Sequence, residues 1–194
     1  MRGYVLAGGE SRRMGRAKRD LVLGNSTFLD LVVSALAPLV SDVKVVLREP
    51  SHGDSYPTLL EPPHEFPAPI YGIVCALRAA GEDAFIVAVD YPLITTAALR
   101  ILLSSHRSGW LTVPSWDGIP QMVCAIYTPS MLPLLDQKIH LGKLDLRSLL
   151  SEQNSTEVSE GLLRAQLAGE PFRNVNTPED YIEAGRIHES SHPH

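Results

Sequence analysis

The sequence predicts an α/β domain with a mostly parallel sheet covered by helices, and three observations carry that prediction. Short apolar runs recur along the chain, separated by segments whose apolar residues fall at helical spacing. Three polar residues that suit helix starts, Thr27, Thr95 and Thr177, stand where such segments begin. The chain has 194 residues, 44% of them hydrophobic, enough for one domain with a full core.

Taken in order, residues 4–7 form a first buried strand. Thr27 caps a helix beginning at Phe28, with Leu29, Val32, Val33, Leu36 and Leu39 on one face. Val43–Leu47 is a second strand and Thr58–Leu60 a short third. The intervening stretch up to Pro69 is rich in proline and reads as a long loop, often a functional feature. Pro69–Ala80 is a helix, residues 84–89 a strongly apolar central strand, and Thr95 caps a helix running to about Ser105. Residues 111–114 and Cys124–Tyr127 are further strands, followed by helical segments near 130–135 and 142–151. A last strand near 171–175 precedes a helix that Thr177 starts, with Pro178 at its first position. Residues 1–187 are expected to form a single domain and 188–194, with His192 and His194, a disordered tail.

Composition narrows the function. A net charge of −5 argues against a general nucleic-acid binder, since such domains are usually basic. Cys75 and Cys124 lie far apart and in no metal-ligand spacing, which suits two reduced thiols in a cytoplasmic protein. No stretch approaches 18 apolar residues, and the first apolar run ends at Gly8, so neither a membrane span nor a signal peptide is expected.

The segment Leu6-Ala7-Gly8-Gly9-Glu10-Ser11-Arg12-Arg13-Met14-Gly15-Arg16-Ala17-Lys18 concentrates the chemistry. A strand breaks into paired glycines, whose backbone can approach a ligand closely, and cations follow. This suits a polyphosphate. The spacing from Gly9 to Gly15 fails the P-loop pattern, and no G-x-G-x-x-G is present. Asp90 follows the central strand at the end where open parallel sheets bind ligands, and a carboxylate there can hold a hard cation; a turn aspartate is the plainer reading.

The L-A-G-G-x-S-x-R-M-G-x-x-K pattern of residues 6–18 resembles the signature of the molybdenum cofactor guanylyltransferases, within the wider nucleotidyltransferase superfamily. Asp90-Tyr91-Pro92-Leu93, Ala68-Pro69-Ile70-Tyr71-Gly72-Ile73 and the run from Phe172 to Asp180 resemble its D-M-P-L, G-P-L-A-G-I and F-x-N-x-N-T-P-E-D segments. Ala68 and Tyr71 depart from the usual glycine and alanine. The resemblance implies a Rossmann-like three-layer sandwich of nucleotidyltransferase type, with a mostly parallel sheet. It also implies transfer of GMP from Mg·GTP to the terminal phosphate of molybdopterin, releasing pyrophosphate.

On that reading Lys18, Arg13 and Asp90 are catalytic. Lys18 meets the transferring phosphates, Arg13 the pyrophosphate side, and Asp90 holds Mg²⁺. Arg12 and Arg16 stand at variable positions and read equally as solvated surface. Leu6, Ala7, Gly8, Gly9, Gly15, Lys18, Glu61, Gly72 and Asp90 would bind the nucleotide. Glu61 would accept from guanine N1–H and the exocyclic amine, although an exposed loop glutamate reads equally well. Asn174 and Asn176, two apart on a strand and so on one face, would meet the second substrate together with Gln121. Lys143 and Arg147, four apart on a helix, could contact its phosphate or simply be a solvated basic face. GTP and molybdopterin are the expected substrates, with transient contact to cofactor-biosynthesis proteins or acceptor molybdoenzymes, and neither nucleic acid nor membrane. A molybdopterin cytidylyltransferase, another small-molecule nucleotidyltransferase, and a catalytically silent nucleotide-binding regulator are the alternatives.

Overall fold

In the computed structural model, which describes residues 1–9, 17–50 and 55–191, the chain begins with an interior strand of its sheet, β1 (Arg2–Leu6). A small antiparallel hairpin, β2 (Val22–Leu23) and β3 (Ser26–Thr27), leads into α1 (Phe28–Leu36). Then follow β4 (Val43–Leu47), β5 (Thr58–Leu60), α2 (Pro69–Ala80), β6 (Ala84–Ala88) and α3 (Thr96–Ser105). The second half contains β7 (Leu111–Trp116), β8 (Ile119–Pro120), β9 (Cys124–Tyr127), α4 (Leu132–His140) and α5 (Leu149–Glu152). It closes with β10 (Ser155–Val158), α6 (Glu160–Gln166) and α7 (Pro178–Ser191).

The sheet order is β5-β4-β1-β6-β9-β7-β10, with β8 paired to β7 at the side. Its pairings are parallel except that β9 runs antiparallel to both β6 and β7, and β8 antiparallel to β7. Successive side chains of a strand point to opposite faces, and the sorting here is clean. Val5, Val45, Phe85 and Val87 pack on one face with Phe28, Val32 and Leu99 from α1 and α3. Tyr4, Val46 and Ile86 pack on the other with Ile70, Ile73, Leu77 and Leu135 from α2 and α4. Both faces are covered, which makes three layers and explains why the central strands read as unbroken apolar runs.

Two sequence-based assignments are corrected. Residues 171–175 form no strand. Phe172 and Val175 are buried there by packing, Phe172 against Trp116 with ring centroids 5.4 Å apart, not by ladder hydrogen bonds. The true edge strand is β10, whose residues 155–158 carry only one apolar side chain, Val158. The helix expected over 142–151 shrinks to Leu149–Glu152. Asp145 instead accepts hydrogen bonds from the Arg147 and Ser148 amides in a turn. Lys143 and Arg147 therefore share no helix face. At the C-terminus α7 runs on through residues 188–191, past the point where the sequence places the start of a tail.

Candidate active site

Leu6 pairs with Val46 on one side and Ala88 on the other, so β1, β4 and β6 end side by side. The chain leaving β1 is tied to both neighbours. Ala7 N–H donates to Val46 O at 2.9 Å, and Val89 N–H donates to Leu6 O at 3.0 Å. A cavity of about 240 Å³ opens where these carboxyl ends meet, lined by Leu6, Gly8, Gly9, Lys18, Arg48, Glu61 and Asp90 among others. This is the crevice where an open α/β sheet takes its ligand. Ala7 is buried in the core with the α1 and α3 side chains and is not among the residues lining the cavity.

The cavity has a charged corner. Lys18 opens a short 3-10 turn, Lys18–Asp20, and its Nζ lies 2.5 Å from Asn176 Oδ1, to which it donates. The same Nζ stands 3.6 Å from Asp90 Oδ2. Asp90 is carried out of β6 on a turn that Tyr91 N–H closes onto Ala88 O. Burial pushes its carboxyl above the ordinary carboxylate range, and Lys18 offsets only part of that. Its other oxygen, Oδ1, is buried without a hydrogen-bond partner. A buried oxygen left unsatisfied is costly in the protein alone, and a bound cation is one group that would satisfy it. Among the described residues no three His, Cys, Asp or Glu side chains converge as a metal cage. A single hard carboxylate fits Mg²⁺, which keeps few protein ligands and takes the rest from substrate phosphates and water.

The opposite wall of the cavity is built around Glu61. Its backbone extends β5, with Glu61 N–H donating to Leu47 O at 2.8 Å. Two glycines make room for the carboxylate. A Cβ at Gly72 would lie 2.8 Å from Glu61 Oε1, and one at Gly8 would lie 3.3 Å from the same oxygen. A Cβ at Gly8 would also come within 2.7 Å of Arg48 Cγ. Glu61 is thus no exposed loop residue: its side chain is 8% accessible and its Oε2 lies 2.8 Å from His64 Nε2.

The second-substrate candidates separate. Asn176 joins the Lys18–Asp90 corner. Its backbone N–H and that of Thr177 donate to Asp180 Oδ2, and Asp180 N–H donates to Thr177 Oγ1, so the start of α7 orients it. Because 174–176 is not a strand, Asn174 does not share that face. It lines a neighbouring cleft with Trp116, Gln121 and Arg173, where its Oδ1 is buried without a partner. Gln121 is committed internally. Its Oε1 accepts from Tyr91 Oη at 2.9 Å, and its Nε2 donates to Trp116 O and Ile119 O. That pattern staples the β7–β8 turn, where Asp117 takes a positive φ of 52°. Arg13 and Gly15 lie outside the described residues.

Two lining or supporting residues, Arg48 and His64, carried no motif, and a third, Tyr71, entered only as a departure from one. Arg48 follows β4 directly, so the rule that ligands sit beyond strand carboxyl ends points to it as much as to Asp90. His64 and Tyr71 stack with ring centroids 4.0 Å apart and planes 5° off parallel. Only the fold brings them together.

A glycine-cleared crevice beyond a parallel sheet, with a lysine, a metal-competent carboxylate and a base-sized pocket, defines a nucleotide-handling α/β domain. The comparisons make that class particular. The model of the MobA-like NTP transferase domain matches residues 3–158, and the chain belongs to that family. It is 32% identical over 189 residues to a probable molybdenum cofactor guanylyltransferase of Carboxydothermus hydrogenoformans, covering 94% of each chain. Its fold is similar to that of molybdopterin-guanine dinucleotide biosynthesis protein A from Archaeoglobus fulgidus, with TM-score 0.79 and 23% identity over 98% and 100% of the two chains. It is also similar to Rv0371C of Mycobacterium tuberculosis solved in complex with manganese, with TM-score 0.64 and 16% identity over 95% and 97%.

Proposed function

We propose that this protein transfers GMP from Mg·GTP to the terminal phosphate of molybdopterin. A phosphate oxygen of molybdopterin attacks the α-phosphorus, a new P–O–P bond forms, the α–β bond breaks, and pyrophosphate leaves. The observation that carries the reading is one crevice holding a phosphate corner, Lys18 with Asp90 and Asn176, opposite a carboxylate wall at Glu61. A substrate phosphate is already ionised at neutral pH, so no general base is required. Catalysis rests on alignment and on neutralising charge.

Each residue then has a task. Lys18 follows charge from the α-phosphate toward the leaving group, its flexible stem releasing Asn176 as phosphate arrives. Mg²⁺ held by the Asp90 carboxylate would supply a Lewis acid that draws charge off the phosphate oxygens. Arg13, by its place in the signature, serves the pyrophosphate side. Gly8 and Gly9 admit the nucleotide against the backbone, and Glu61 accepts from the base. The cleft at Asn174 offers room for a pterin. The product would pass to cofactor-biosynthesis proteins or acceptor molybdoenzymes. No helix of the described residues is long and apolar enough to cross a membrane.

A thermal-shift comparison of the four nucleoside triphosphates with Mg²⁺ tests the base assignment. At a hundred times Kd a ligand adds about 2.7 kcal/mol of stability, several degrees in Tm. GTP should raise Tm most, and equal stabilisation by CTP would overturn the guanine assignment. Asp90→Asn should keep its fold yet release pyrophosphate at least about a hundredfold more slowly. Turnover at the wild-type rate would refute the role of that carboxylate.

A further inference from the structure

We infer that His64, clamped on Tyr71, is a positioning residue for base selection: it holds Glu61 in the orientation that accepts from a purine carrying both N1–H and an exocyclic amine. The inference rests on the guanylyl reading above and names what enforces it.

The carboxylate is held at three points. Its backbone is fixed as the continuation of β5. Its Oε2 is paired with His64 Nε2 at 2.8 Å. Its Oε1 fills the space that Gly8 and Gly72 leave open, toward the cavity that both Gly8 and Glu61 line. A carboxylate offers about four acceptor sites, and His64 occupies one of them. The sites left on the cavity side match the two parallel donors of a guanine edge.

His64 is itself constrained on every side. Its Nδ1 lies 2.9 Å from Phe66 O, its ring stacks on Tyr71, and its side chain is only 5% accessible. Phe66 O and the Glu61 carboxylate thus hold the two ring nitrogens from opposite ends, which fixes the ring's direction as well as its plane. The surrounding loop is short and proline-bound, with Pro62, Pro63, Pro67 and Pro69 around His64. It has little freedom to let the ring drift. An aromatic residue at 71 is what makes this clamp possible, since alanine there would leave the imidazole face uncovered.

A purine without the exocyclic amine leaves part of the carboxylate unmet, and adenine presents an acceptor at N1 where Glu61 needs a donor. The arrangement therefore sets both affinity for GTP and rejection of its analogues.

Binding of GTP, ITP and ATP to the full-length protein, with KM and kcat for GTP, tests this. His64→Ala should weaken GTP roughly tenfold, the value of one oriented hydrogen bond, and ITP two- to threefold at most. The GTP-over-ITP ratio narrows, and the loss falls on KM rather than kcat. Glu61→Gln should collapse the same ratio. Adding His64→Ala to it should then cost nothing further, because His64 acts through Glu61. Tyr71→Leu, which spares both polar partners, should show a weaker form of the same shift and serves if His64→Ala does not fold. An equal loss for all three nucleotides, an additive double variant, or no change would each overturn the inference. A wild-type protein that binds CTP as tightly as GTP would instead overturn the guanylyl reading, leaving the two failures distinct.

Discussion

Gly72 is a helical residue whose missing side chain is worth more to the site than to the helix. Within α2, glycine costs about 1 kcal/mol relative to alanine, so Gly72→Ala should gain helix stability. The new Cβ would stand 2.8 Å from Glu61 Oε1 and 3.1 Å from Leu6 Cδ2, and the flexible carboxylate must move. The two effects nearly cancel in stability but not in function. Gly72→Ala should keep its Tm within a few degrees while GTP affinity falls about tenfold or more. Unchanged GTP affinity would show that Glu61 does not meet the base. Gly8 and Asp90 were singled out in sequence by the strand ends they follow and Lys18 by its place in the basic segment, and the fold brings all three to one crevice. Arg48 was announced the same way, by its place directly after β4, but matched no motif. The internal bonds of Gln121 were not legible, since an amide near a motif reads the same whether or not it is tied to two backbone carbonyls and a tyrosine, as here.

At the next scale, α1 shows how local chemistry starts an element. Thr27 and Asp30 form a reciprocal capping box, with Asp30 N–H donating to Thr27 Oγ1 at 3.1 Å and Thr27 N–H to Asp30 Oδ2 at 3.3 Å. Thr27 Oγ1 also donates to Asp30 Oδ2 at 2.6 Å, and Tyr56 adds a fourth hydrogen bond, its Oη donating to Asp30 Oδ1 at 2.8 Å. Hydrogen bonds from Thr27, then Tyr56, hold the Asp30 carboxyl below its ordinary value, and burial with Asp30 alongside pushes the Tyr56 phenol up to about 12. A carboxyl lowered on folding stabilises above its unfolded value, about 3.9, and that stability fades as pH falls toward the folded value. Thr27→Ala should cost about 1 kcal/mol near neutrality, a Tm drop of a few degrees. The gap between variant and wild type should narrow below about pH 4, and a constant gap would dissociate the cap from the Asp30 charge. Such caps explain why α1, α3 and α7 were read correctly from Thr27, Thr95 and Thr177. The misread elements lacked a local signal. β10 pairs only with β7 and carries one apolar side chain, while Phe172 and Val175 are buried because they pack, not because they lie in a strand.

Across the whole molecule, the three layers follow from the alternation of apolar runs and helical segments, but the direction of β9 does not. A strand buried on both faces reads the same whichever way it runs, and β9 is buried throughout. The sheet also divides the crevice unequally. Its phosphate corner rests on β6, near the middle, with neighbours on both sides. Its base wall hangs from β5, a three-residue edge strand with β4 as its one partner and with Thr58 and Leu60 exposed. Edge segments with few buried contacts open at low free energy, so on the proposed reading the base would be met at the margin that yields first. Amide hydrogens of residues 58–61 should exchange much faster than those of β1 and β6 in the free protein, and GTP should slow them selectively. Uniform protection across the sheet would contradict this. On the proposed reading a bound nucleotide would bridge this margin to the better-anchored β6, so the ligand itself would tie the two ends of the crevice together.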